Sequence, residues 1–235
     1  MEKDIRLIVP KDKFEDSILV AGFHGIGMTG YIAISYLLNS TEAERIGYIQ
    51  TESLPPFVSV DGDKLLTPFE IYRRDKFIFV RSEFPPHKSE ENAFSRKIAQ
   101  WAIEEKFREA VLVGGLDETF RNGPEELKMV PTKTYLERNQ NIKDLLLEEG
   151  LYVTGPLAIM LATFEVHGFP AVAILPYASR ARPDPRAAAV AIKRIRDTYQ
   201  LKIDVSDLVQ DAETIEKELE ERTIRTKQSY NGMYV

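Results

Sequence analysis

Cysteine is absent from the 235-residue chain, which excludes disulfides, thiolate nucleophiles and cysteine-based zinc sites together. Histidine is nearly absent: His24, His87 and His167 are the three present. No two of them stand at the spacing of a helical ligand pair, so no metal site is expected. Long apolar runs are also missing. The best stretches, a broken run over 151–166 and a strand-like one over 171–177, fall short of the ~18 residues of a membrane span. The opening MEKDIRLIVPKDKFED is interrupted by charges before a signal-peptide core forms. An excess of positive charge is lacking too: 31 basic against 37 acidic residues give a net charge of -6, so no global field draws phosphate backbones or anionic lipid. A soluble, cytoplasmic protein without nucleic-acid or membrane partners is expected.

What is present is an alternation of β-rich runs and helical periodicity. Residues 18–21 precede a helix over 28–38 and 45–50 follow it, a βαβ start. Residues 57–60, 66–72 and 76–82 read as strands with turn-length gaps at 61–63 and 73–75, an antiparallel section. A helix opening at Ser89-Glu90-Glu91 carries Phe94, Ile98, Trp101, Ala102 and Ile103 near one face and feeds a buried strand over 110–113. The segment 115–135, with Asn122-Gly123-Pro124 and Pro131, lacks periodicity and reads as a surface excursion. A helix over 141–149 closed by Gly150, a short strand over 151–153, and a helix from Gly155-Pro156 to His167-Gly168 come next. A core strand over 170–176 then leads to a helix capped by Asp184-Pro185 that turns Ala188, Ile192, Ile195 and Tyr199 inward. The last helix places Val205, Leu208, Ala212, Ile215 and Leu219 on one face, and after Arg222 the apolar pattern fades. The pattern predicts one α/β domain over 1–225 and a flexible tail over 226–235.

Gly25-Ile26-Gly27-Met28-Thr29-Gly30 has GxGxxG spacing between a strand and a helix, with Glu52 at the end of the next strand where a ribose-binding acid would sit. One reading is a nucleotide- or nucleoside-binding enzyme in which Gly25, Gly27 and Gly30 let a phosphate approach bare amides at a helix N-terminus. The other is tight packing of strand on helix. Bulky Tyr31 after the third glycine, and antiparallel strands in place of a third parallel βα unit, favour packing. His24, at the C-terminal end of the first strand, is either an acid–base group or a hydrogen-bonded turn histidine. Asp117 and Glu118 follow the strand end Gly114-Gly115 without a matched nucleophile or GxSxG elbow and read as a solvated loop. Arg180, Arg182 and Arg186 form a basic cluster suited to a carboxylate, or a solvated helix entry. No Walker motif is present, and no cofactor is expected.

The run Gly22-Phe23-His24-Gly25-Ile26-Gly27-Met28-Thr29-Gly30, then Val111-Leu112-Val113-Gly114-Gly115, Gly155-Pro156, and Pro170-Ala171-Val172-Ala173-Ile174-Leu175 ahead of Asp184 and an alanine-rich helix, resembles the proteasome assembly chaperone 2 superfamily. Within it the likeness is to the archaeal proteasome-assembling chaperone homologue B, over about residues 15–220. The resemblance implies a three-layer α/β/α sandwich with a mixed sheet, similar to the purine nucleoside phosphorylase-like fold, and no phosphorylase site residue maps onto this sequence.

The final residues, Met233-Tyr234-Val235, are similar to the hydrophobic-tyrosine-any ending of proteasome activators. By that resemblance a terminal carboxylate pairs with a lysine between ring subunits while the tyrosine and the hydrophobic residue fill a groove. Three residues bind weakly, and a symmetric homo-oligomer presenting several copies raises the effective concentration of the tails left unbound. The expectation is an ATP-independent, non-enzymatic protein docking on the 20S proteasome α-ring.

Overall fold

The computed structural model describes residues 4–212. Along the chain these form β1 (Arg6–Ile8), β2 (Ile18–Gly22), α1 (Thr29–Thr41), β3 (Glu44–Gln50), β4 (Ser59–Asp61), β5 (Lys64–Leu66), β6 (Phe69–Arg74) and β7 (Phe77–Ser82). There follow α2 (Glu91–Glu104), β8 (Glu109–Val113), β9 (Leu116–Asp117), β10 (Leu127–Pro131), α3 (Lys133–Arg138), α4 (Gly155–Val166), β11 (Ala171–Ala178) and α5 (Pro185–Tyr199). A further helix begins at 206 and runs to the end of the described residues.

Continuous apolar runs become the centre, as expected of strands covered on both faces. Every residue of β2 and of β8 is buried, and β7, β2, β8 and β11 lie side by side in parallel. Antiparallel strands flank them, giving the order β1-β3-β6-β7-β2-β8-β11-β10 with β9 beside β11. Side chains alternate across this mixed sheet. Ile18 and Val20 of β2 pack with Val111, Val113 and Ile174 against Ile34, Leu37, Ile192 and Ile195 of α1 and α5. Leu19 and Ala21 pack with Ala110, Leu112 and Ala173 against Phe94, Ile98, Met160 and Phe164 of α2 and α4. The result is the three-layer α/β/α sandwich.

The βαβ start has an unexpected middle. α1 carries the chain from β2 to β3, yet β6 and β7 fill the space between those strands. The run read as 66–72 breaks at Thr67-Pro68, since proline cannot donate to a ladder. Residues before the break pair within a separate hairpin, β4 with β5, and residues after it join the main sheet.

Three other expectations are corrected. The excursion over 115–135 contains β10, which pairs antiparallel with β11 and forms one edge of the sheet. Lys128 obscures its periodicity: it is only 8% exposed, and its ammonium sits 2.6 Å from Glu148. The helix over 141–149 is a short 3-10 segment, Gln140–Leu145. It ends because Leu147 donates its amide to the Met129 carbonyl at 3.1 Å, drawing the chain along β10. Residues 151–153 belong to no strand. The charged start supplies β1, which pairs with β3.

Candidate functional site

β2 and β8 are parallel neighbours whose outgoing connections diverge, α1 on one face of the sheet toward β3, and the segment through β10 toward the opposite edge. Such a divergence leaves a crevice beyond the carboxyl ends of the strands. A cleft of about 500 Å³ occupies it, lined by His24, Gly25 and Ile26 after β2, Gly114 to Asp117 after β8, residues 151–157 ahead of α4, and Arg180 after β11.

The glycines divide between two tasks. At Gly30 a Cβ would lie 2.4 Å from the Val113 carbonyl oxygen, and at Gly22 one would lie 2.5 Å from the Gly30 carbonyl oxygen. Gly27 has φ +61° and close neighbours in Ala178 and Asp184, and its carbonyl accepts the Asp184 amide at 2.8 Å. Gly22 and Gly30 thus set α1 tightly against β2 and β8, while Gly27 lets the turn pack against β11 and the start of α5. Gly25 alone of the GxGxxG glycines faces open space, with nothing within 4 Å of a Cβ.

His24 stacks on Tyr31 at 4.5 Å between ring centroids, and its Nδ1 is buried without a hydrogen-bond partner. Burial lowers its pKa from the ordinary histidine value, against an opposing pull from Glu83, which favours the neutral ring. The Tyr31 hydroxyl donates to Glu83 Oε1 at 2.9 Å, and Glu83 Oε2 accepts from Arg81 at 2.8 Å. Asp117 is committed as well. Its Oδ1 accepts the Thr119 amide at 3.0 Å and the Thr119 hydroxyl at 2.8 Å, and its Oδ2 faces Arg180 at 3.4 Å. The Thr119 amide, then its hydroxyl, then Arg180 hold the carboxyl below the usual aspartate range.

Glu118 is exposed and lies outside the cleft lining, so it makes no carboxylate pair with Asp117 there. Of the three arginines, Arg180 lines the cleft. His87 accepts or donates at Ser89 Oγ, 2.8 Å away, and His167 closes α4 beside the Thr163 carbonyl. The three histidines are thus dispersed, and the described residues contain no cluster fit for a metal. No helix among them is long and apolar enough to cross a membrane.

The sequence model of the PAC2 family matches residues 19–223. The chain belongs to the PAC2 family. This PAC2 chain is 23% identical over 216 residues to the uncharacterized protein MJ0106 of Methanocaldococcus jannaschii, covering 90% of this chain and 87% of that one. The structure of Pyrococcus furiosus PbaA, an archaeal homolog of proteasome-assembly chaperone, superposes with a TM-score of 0.82 at 20% identity over 97% of this chain and 100% of that chain. Pyrococcus furiosus PbaB, an archaeal proteasome activator, superposes at 0.75 with 16% identity over 95% and 100%. The fold is common to all three.

Met233, Tyr234 and Val235 lie outside the described residues. A feature that sequence reasoning missed lies inside them. Of nine large hydrophobic side chains that are exposed among the described residues, seven gather at the carboxyl edge of the parallel strands. Leu54, Phe57, Val58, Val60 and Leu65 belong to the β3–β6 connection, and Phe120 and Tyr152 to the cleft mouth. The alternation Val58-Ser59-Val60 was visible, but its exposure was not.

Proposed function

We propose that this PAC2 chain is a cytoplasmic, ATP-independent and non-catalytic proteasome-binding protein, an assembly-chaperone homologue or activator, that inserts Met233-Tyr234-Val235 into the 20S α-ring. The observation that carries the reading is the union of a PAC2 body with a hydrophobic-tyrosine-any ending. PbaA and PbaB, named respectively as a homolog of proteasome-assembly chaperone and a proteasome activator, lend the body its association with that particle. Oligomerisation multiplies tails and converts weak single contacts into avidity.

The glycine turn gives the enzymatic alternative little support, since Gly27 and Gly30 are occupied by close neighbours. The test is co-elution with purified 20S particles from a sizing column. The full chain is expected to co-elute, and a chain truncated after Gly232 to elute alone with its circular dichroism unchanged. Equal co-elution of both would refute the tail mechanism.

A further inference from the structure

Asn39, Asn92, Asn122, Asn139 and Asn141 are the asparagines among the described residues. Each side chain carries an electrophilic amide, and the backbone nitrogen of the following residue is the nucleophile within reach of it. Attack closes a cyclic imide. Whether it happens is decided by the local backbone, by the hydrogen bonds that occupy the two amides, and by the bulk of the following residue.

Four of the five are protected. Asn39 and Asn92 stand inside α1 and α2, whose helical dihedrals hold the next nitrogen out of line with the side-chain carbonyl. The Asn139 side chain donates to the Tyr135 carbonyl at 2.9 Å. Asn141 belongs to the 3-10 segment and precedes Ile142, whose stiff β-branched side chain shields the nitrogen.

Asn122 differs on every count. It lies between the 3-10 turn Glu118–Phe120 and β10, outside any helix or strand. Asn122, Gly123 and Pro124 are all exposed, so water reaches the pair. Neither the Asn122 side chain nor the Gly123 amide makes a hydrogen bond among the described residues. The nucleophile belongs to a glycine, which has no side chain to shield it. That glycine is fixed by the turn, since a Cβ there would collide with the Glu125 carboxylate. Arg121 grips the chain just beyond the pair, donating to the carbonyls of Gly123 at 3.4 Å and Pro124 at 3.0 Å. Its positive charge stands near the nitrogen that must give up a proton to attack, and favours that loss.

We propose that Asn122 is a site of spontaneous covalent modification, converted to aspartate and isoaspartate through a cyclic imide with Gly123. The Gly123 nitrogen loses its proton and bonds to the Asn122 side-chain carbonyl carbon, and the side-chain nitrogen leaves as ammonia. Water then opens the ring. Opening at the side-chain carbonyl leaves aspartate; opening at the backbone carbonyl leaves isoaspartate, in which the main chain runs through the side chain and is longer by a methylene. Water is the sole co-reactant. Either product sets a new carboxylate beside Arg121, two residues from Phe120 at the cleft mouth. The isoaspartate product also lengthens the chain just ahead of the carbonyls that Arg121 holds.

The experiment incubates the full chain at mildly acidic and mildly alkaline pH and reads each asparagine by peptide mapping with mass spectrometry. Isoaspartate is counted with an isoaspartyl carboxyl methyltransferase and labelled S-adenosylmethionine. Asn122 is expected to convert at least about tenfold faster than Asn39, Asn92, Asn139 or Asn141. Isoaspartate is expected among its products, and a faster rate at alkaline pH, because the attacking nitrogen must lose its proton. Asn231-Gly232, the same pair outside the described residues, is mapped on its own peptide. Asn122→Gln, which needs a larger ring, is expected to abolish conversion at that position with an unchanged melting temperature, as the side chain is exposed. Conversion of Asn122 no faster than that of the four protected asparagines overturns the inference, as does conversion of Asn231 with Asn122 intact. Aspartate without isoaspartate also overturns it, because direct hydrolysis would then be the route.

Discussion

At Gly30 a hydrogen atom occupies the only space between α1 and the carbonyl of Val113, whereas Gly25 five residues earlier has open space around it. Alanine should separate the two. Gly30→Ala forces backbone apart and is expected to cost about 2–3 kcal/mol in urea unfolding, while Gly25→Ala changes stability by less than about 0.5 kcal/mol. Similar effects at both sites would contradict the packing assignment. The spacing of the glycines was legible in the sequence, but not their division of labour, because the nearest atoms come from β8 and from the loop ahead of α5. His24 gives a pH signature. Its folded-state pKa lies below 6.5, so the unfolded chain takes up the proton first. Its stabilising contribution is complete above pH ~6.5 and is lost as pH falls through the folded-state pKa. His24→Phe should flatten the decline of melting temperature between pH 7 and 5, and an unchanged slope would show that the ring does not titrate as described.

Among the elements, those with clean periodicity were read correctly: β2, α1, β7, α2, α4, β11 and α5. α5 carried its start in plain sight, with Pro185 in its first turn and Asp184 as its cap. Asp184 accepts the Ala187 amide and the Ser179 amide, each at 3.0 Å. Asp184→Ala is therefore expected to destabilise by about 1–2 kcal/mol by thermal or urea unfolding, and a loss below a few tenths would mean that solvent replaces both bonds. Elements whose pattern depends on distant partners were not legible. β10 hides behind Lys128, whose burial makes sense only beside Glu148. The helix expected over 141–149 stops as a 3-10 segment at Leu145, where the chain is drawn along β10, a strand that sequence periodicity does not reveal.

On the scale of the molecule the sheet is asymmetric. Its carboxyl edge gathers the cleft, the β4–β5 hairpin and most of the exposed apolar side chains, a concentration that only the strand order creates. Residues 57, 120 and 152 are far apart in sequence, so no local pattern announces that they share a face. The ending Met233-Tyr234-Val235, proposed above to dock, is the reverse case, a short motif readable from sequence alone. Under the proposed function, copies that present several tails would gain proteasome affinity by avidity. Binding of the full chain to immobilised archaeal 20S particles, compared with Tyr234→Ala, tests that account most directly. Saturable binding by the full chain, weakened at least about tenfold by loss of the ring and hydroxyl while the oligomer mass stays the same, is the predicted result; equal binding by the two chains would contradict it.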